Sequence, residues 1–181
     1  MVRDKLKDLQ QEISKYIGIP YFSNTKKISS KNAVDLGKGS AKEIALKTIE
    51  LANKENIKLI DLTSQQIYNL QKKNKIGIDC SGLACHLLNF YFNTNINVRK
   101  TSADMLTSLP LSKEIDINDA STGDLIRQRN GHHLLFVIEK TRDKIIYVDS
   151  SLKGRGVHFG EFHIKDKNFK HNGIYRLFLL N

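Results

Sequence analysis

Leu6, Leu9, Ile13 and Ile17 recur at spacings of three and four near the start of the chain. That pattern predicts an amphipathic helix over Arg3–Ile17, closed by Gly18. "GIPYFSN" follows as a turn in which Pro20 fixes the backbone. Ser40 and Glu43 have the spacing of a capping box and predict a second helix running to about Lys54. A third, short helix starts at Thr63 or Ser64 and carries Ile67 and Leu70. "CSGLACHLLNFYF" predicts a fourth to about Phe92, and "TSADMLTSL" a short fifth. After Leu111 the period changes. "GDLIRQR", "HLLFVIEK", "KIIYVDSS", "GVHFGEFHI" and "GIYRLFLL" are short apolar or alternating runs separated by turn residues. Helices first and about five antiparallel strands second predict an α+β fold, the strands forming a meander with the fourth helix packed on it.

A chain of 181 residues suits one domain with a proper core. The polar stretch from 23 to 40 reads as a loop leading into a helical insertion at about 25–75, and not as a linker between domains. No apolar run approaches the ~20 residues of a membrane span, and "MVRDKLKDLQQEIS" lacks the apolar core of a secretory signal. The expectation is a monomer that is cytoplasmic or leaves the cell by a route needing no such signal. The formal charge of +10 changes the picture, because it favours an anionic partner. The basic residues are dispersed, without the aromatic interleaving of a nucleic-acid module, so no nucleic acid is expected.

The two cysteines, Cys80 and Cys85, would project about 140° apart on one helix and cannot readily bridge. Most lone cysteines are core thiols, and Cys85 reads as one. Cys80 opens its helix, where the dipole favours a thiolate, and Gly82 would let another backbone or a substrate come close. A nucleophilic cysteine needs a base with an orienting partner. His133 opens one predicted core strand and Asp149 ends the next. A hairpin turning at "TRD" brings the two together, so a helix packed across the sheet could complete a Cys80–His133–Asp149 set. His132 is the rival base, and Asp143, at the far end of the hairpin, is out of reach. His158 and His163 fall on opposite faces of one strand, so neither a metal nor any other cofactor is expected. His86 reads as a packing or surface residue.

"DCSGLA" resembles the nucleophile motif of the NlpC-type papain-like cysteine peptidases, bacterial cell-wall hydrolases. "STGDLIRQRNGHHLLFVIE" resembles that family's histidine motif, "VDSSLKGRGV" its third motif, and "VRKTSADM" the segment after the nucleophile helix. The resemblance spans about residues 76–180. It implies a papain-like fold with Cys80 as nucleophile, His133 as base and Asp149 as orienting residue. It nominates Tyr21, in "IPYFSN", for the oxyanion side of the cleft, although the glycines of the family's turn are replaced here by Ser23 and Asn24. It also nominates Asp79 and Ser81 as substrate contacts, since in some members these positions bind a free stem-peptide amine. The implied activity is cleavage of an amide bond in a peptidoglycan stem peptide or muropeptide, of the γ-D-glutamyl type, through a thioacyl intermediate. The rivals are an amidase or acyltransferase on the same fold, and a wall-binding module without chemistry. The 25–75 insertion reads equally as surface decoration or as a lid over the cleft.

Overall fold

The computed structural model describes residues 2–24 and 29–178. Among these residues five α-helices precede or flank a six-stranded antiparallel sheet, so the protein is α+β. The helices are α1 (Val2–Ser14), α2 (Ala41–Lys54), α3 (Ser64–Lys73), α4 (Cys80–Phe92) and α5 (Ala103–Leu106). The strands are β1 (Ser112–Ile115), β2 (Leu125–Gln128), β3 (His133–Lys140), β4 (Lys144–Ser151), β5 (Gly156–His163) and β6 (Ile174–Leu177). No helix among the described residues is long and apolar enough to cross a membrane.

The helix boundaries follow their local signals. Ser40 and Glu43 form the expected capping box on α2, and Thr63 with Gln66 forms a second one on α3. α1 stops earlier than its apolar spacing predicts. The N–H groups of Lys15 and Tyr16 turn back to the carbonyls of Glu12 and Ile13, and Gly18 takes φ +82°. The tightening carries Tyr16 into the core in place of Ile17, which is exposed.

The strand order is β1-β6-β2-β3-β4-β5. It corrects the expected five-strand meander twice. β1 is an additional strand, and β6 enters between β1 and β2 instead of extending the hairpin series. Leu179 and Leu180 of the last apolar run lie outside the described residues. Each face of the sheet has its own apolar layer. Leu134, Phe136 and Ile138 of β3 and Val148 of β4 meet Leu9 and Ile13 of α1 and Leu83, Leu87 and Leu88 of α4. The opposite face carries Ile126, Leu135, Val137 and Ile145, covered by Phe162 and Phe169, whose rings stack 3.6 Å apart. α4 is apolar nearly all round, as a helix sandwiched between a sheet and other helices must be.

The outer edge of β5 is capped by the segment after α1. Gly18 N–H donates to Val157 O (3.1 Å) and Val157 N–H donates to Ile19 O (2.9 Å). Gly156 makes this close approach possible. It sits at φ +106°, and a β-carbon there would lie 2.1 Å from the Ile19 carbonyl oxygen. The chain then passes Ile78, which forms isolated bridges with both Tyr21 and Lys38. The stretch expected as an insertion therefore returns to the residue two places before Cys80. Its first residues, 25–28, lie outside the described ones.

Candidate active site

Three backbone segments converge where α4 begins. Asp79 is the N-cap of α4, its Oδ1 accepting the Gly82 N–H at 2.6 Å. Asp79 N–H donates to Gly37 O (2.8 Å), and Ser150 Oγ, at the end of β4, donates to Ile78 O (2.7 Å). A β-carbon at Gly82 would stand 2.8 Å from the Gly37 carbonyl oxygen, so the glycine serves a backbone approach. These contacts hold Cys80 at the first position of α4, against the sheet.

Cys80 is 6% exposed. Burial pushes its thiol up to about 11 and the Asp79 carboxylate pushes the same way, while the Leu134 amide, the Lys38 ammonium and the Ser81 amide pull it down. Burial thus opposes the thiolate that the helix N-terminus favours. Transfer to low dielectric and a neighbouring carboxylate outweigh it. The influence of the Leu134 amide places the sulfur beside the residue that follows His133. Cys85 is fully buried, with its thiol pushed up to about 12 mainly by burial.

His133 and Asp149 are both buried, and His133 Nε2 lies 2.8 Å from Asp149 Oδ2. A carboxylate can only accept, so Nε2 carries the hydrogen and Nδ1 is left as the basic nitrogen. The other carboxylate oxygen, Oδ1, lies 3.0 Å from His158 Nδ1. The angle there is too poor for a hydrogen bond, and that nitrogen also lies 3.2 Å from Gly156 O. Asp149 and His158 are directly paired across β4 and β5. Sequence reasoning weighed His158 only as a metal ligand. The register of the β4–β5 hairpin, counted back from its "LKGRG" turn, was the signal that could have placed it beside Asp149. Asp143 sits in the opposite turn, 3.6 Å from His163.

Two hollows meet this region from different sides. One of about 570 Å³ is lined by Tyr21, Lys38, Asp79, Cys80, Ser81 and His132, among others. The other, about 300 Å³, holds His133, Asp149 and His158 with Tyr147. His132 is exposed and shares the hollow of Cys80, whereas His133 is buried and bonded to Asp149. Tyr21 lines the same hollow as Cys80, its hydroxyl pushed up chiefly by burial and pulled back by a hydrogen bond with Ser23. Of the 25–75 stretch, Leu36 and Lys38 line the cleft, while α2 and α3 front other hollows. Sequence reasoning missed Lys38. It is buried, and its Nζ donates to Asp79 Oδ1 (2.9 Å), to Thr101 O (3.1 Å) and to Ser81 Oγ.

No family model, no curated protein and no solved structure matches the chain.

Proposed function

We propose that the chain is a papain-like, NlpC-type cysteine hydrolase that cleaves an amide bond in peptidoglycan stem peptides. The observation that carries this reading is the buried His133–Asp149 hydrogen bond beside the strand amide that meets the Cys80 thiol. A thiol raised to about 11 is a poor nucleophile at neutral pH until a base removes its proton. His133 is that base. With Nε2 held by Asp149, Nδ1 accepts the thiol proton as sulfur attacks the amide carbonyl.

The C–S bond forms as the carbonyl π pair moves onto oxygen. The oxyanion is met by the Cys80 N–H, one of the helix-start amides without an intrahelical partner. The Tyr21 hydroxyl, in the same cleft, is the second donor. Collapse breaks the C–N bond, and the amine leaves with the proton held on His133. Water then attacks the thioester, giving a proton to His133, and the thiol departs with that proton restored. Asp149 orients the ring and stabilises the imidazolium formed in both halves.

The charge of +10 supports an anionic wall as the setting. The test is mass spectrometry of defined muropeptides after incubation with the protein. A new amine and carboxyl at the γ-D-glutamyl bond are expected, with casein left intact. Digestion of casein with inert muropeptides would overturn the substrate assignment.

A further inference from the structure

Lys38 brings an ammonium to the start of α4 from far along the chain. An antiparallel bridge to Ile78 fixes its backbone, and its side chain runs inward to Asp79 and Ser81, the residues on either side of Cys80. An ammonium has three hydrogens. All three find acceptors, on Asp79, Ser81 and the Thr101 carbonyl. Asp79 Oδ1 in turn also accepts from Ser81 Oγ (3.0 Å) and from the Gly82 amide (2.6 Å). The carboxylate and the hydroxyl flanking Cys80 are therefore already engaged by a cation belonging to the protein.

The rest of the cleft adds positive charge. Arg99 and Lys100 line it and are exposed, and Arg99 is steadied by donating to the Ser30 carbonyl. The other lining carboxylate, Asp104, is held by Arg127 Nη2 at 2.7 Å. A substrate ammonium entering here would meet a neutralised Asp79 and two further cations. A neutral or anionic group would meet no such opposition.

We infer that the Cys80 cleft takes acyl groups with no ammonium next to the reacting carbonyl, and favours those carrying a carboxylate. This rests on the reading of Cys80 as a nucleophile. The substrate class narrows to peptides whose amino end is still acylated, in place of the free-amine peptides that Asp79 and Ser81 would otherwise suggest.

Three chloromethyl ketones of alanine, differing only at nitrogen, test it: free ammonium, N-acetyl and N-succinyl. In each, Cys80 sulfur bonds to the methylene carbon, chloride leaves with the C–Cl pair, and the thiol proton passes to His133. Each rate of Cys80 modification is divided by the rate of the same reagent with 2-mercaptoethanol, which removes intrinsic reactivity. The expected order is N-succinyl, then N-acetyl, with the free amine at least about tenfold slower. An equal or faster free-amine reagent would overturn the inference while leaving the nucleophile in place. Labelling by all three no faster than in the denatured chain would instead remove the nucleophile reading, and this inference with it. Lys38→Met should reverse the order by freeing Asp79 for the ligand. Because that change also strands a buried carboxylate, the exposed double variant Arg99→Gln/Lys100→Gln tests the charge separately. It should shrink the N-succinyl advantage over N-acetyl by about threefold or more, and an unchanged advantage would overturn the anionic preference.

Discussion

His133 and Asp149 are hydrogen-bonded at 2.8 Å although they do not stand opposite each other in the sheet. Phe136 pairs with Val148, so counting back puts Asp149 level with Leu135 and His133 level with Ser151. The two share a face diagonally, and Cys80, at the very start of α4, meets β3 at the neighbouring Leu134 amide. The diagonal leaves Asp149 room for a second imidazole, His158, at its other oxygen.

Replacing Asp149 by alanine should lower hydrolysis by about 10²–10⁴-fold, the span of a misplaced general base. Cys80→Ala should remove activity outright, and Asp143→Ala should leave it near the starting value. Rates on one muropeptide, with circular dichroism to verify folding, would decide. A folded, fully active Asp149→Ala beside an inactive Asp143→Ala would refute the pairing.

The two neighbouring histidines separate cleanly. His133→Ala should cost about 10²-fold or more, whereas His132→Ala should change KM more than kcat, because His132 lines the cleft without meeting Asp149. Steady-state kinetics of the two variants distinguish them. A kcat loss confined to His132→Ala would transfer the base to that residue.

Iodoacetamide should label Cys80 before Cys85, which is fully buried. With the Cys80 thiol pushed up to about 11, its labelling rate should keep rising from pH 7 through pH 10. Peptide mapping at a series of pH values reads this directly. A plateau already reached below pH 7 would mean a resting thiolate–imidazolium pair instead.

Stability should fall on both sides of a window between about pH 6.5 and 9. Below the ordinary histidine value of 6.5 the unfolded chain protonates His86, whose folded value burial holds lower. The unfolded state then binds more protons, and stability falls as pH falls. Above the ordinary cysteine value of 9.0 the unfolded chain ionises, while burial keeps Cys80 and Cys85 neutral in the fold. The folded state then holds more protons, and stability falls as pH rises. Tyr16, raised mainly by burial, extends the alkaline loss. Thermal melts from pH 5 to 11 test the shape, and His86→Phe, if folded, should flatten the acid limb.

Much of this was legible because the determinants are local. The capping box at Ser40 needs only four residues, and the His133–Asp149 relationship needs only a hairpin with a short turn. What escaped depends on distant chain. β1 has a single isoleucine, with Lys113 and Glu114 exposed, so no alternation marks it, and it exists through pairing with β6. Nothing around Lys38 signals a buried lysine. Its surroundings come from Ile78, Asp79 and Thr101, all far along the sequence. The balance at the Cys80 thiol divides the same way: helix position is visible in the sequence, and the burial that opposes it is not.

The placement of β6 has a consequence for how the protein is made. β2 to β5 can pair each with its predecessor as they leave the ribosome, and that block already brings His133 to Asp149. β1 is synthesised before all of them, yet among the described residues it pairs only with β6. Until Ile174–Leu177 emerge, β1 and the open side of β2 present unpaired backbone groups, a template for other chains. A nascent chain therefore carries its His–Asp pair assembled behind an unsealed edge, and the emergence of Ile174–Leu177 is the event that closes the sheet.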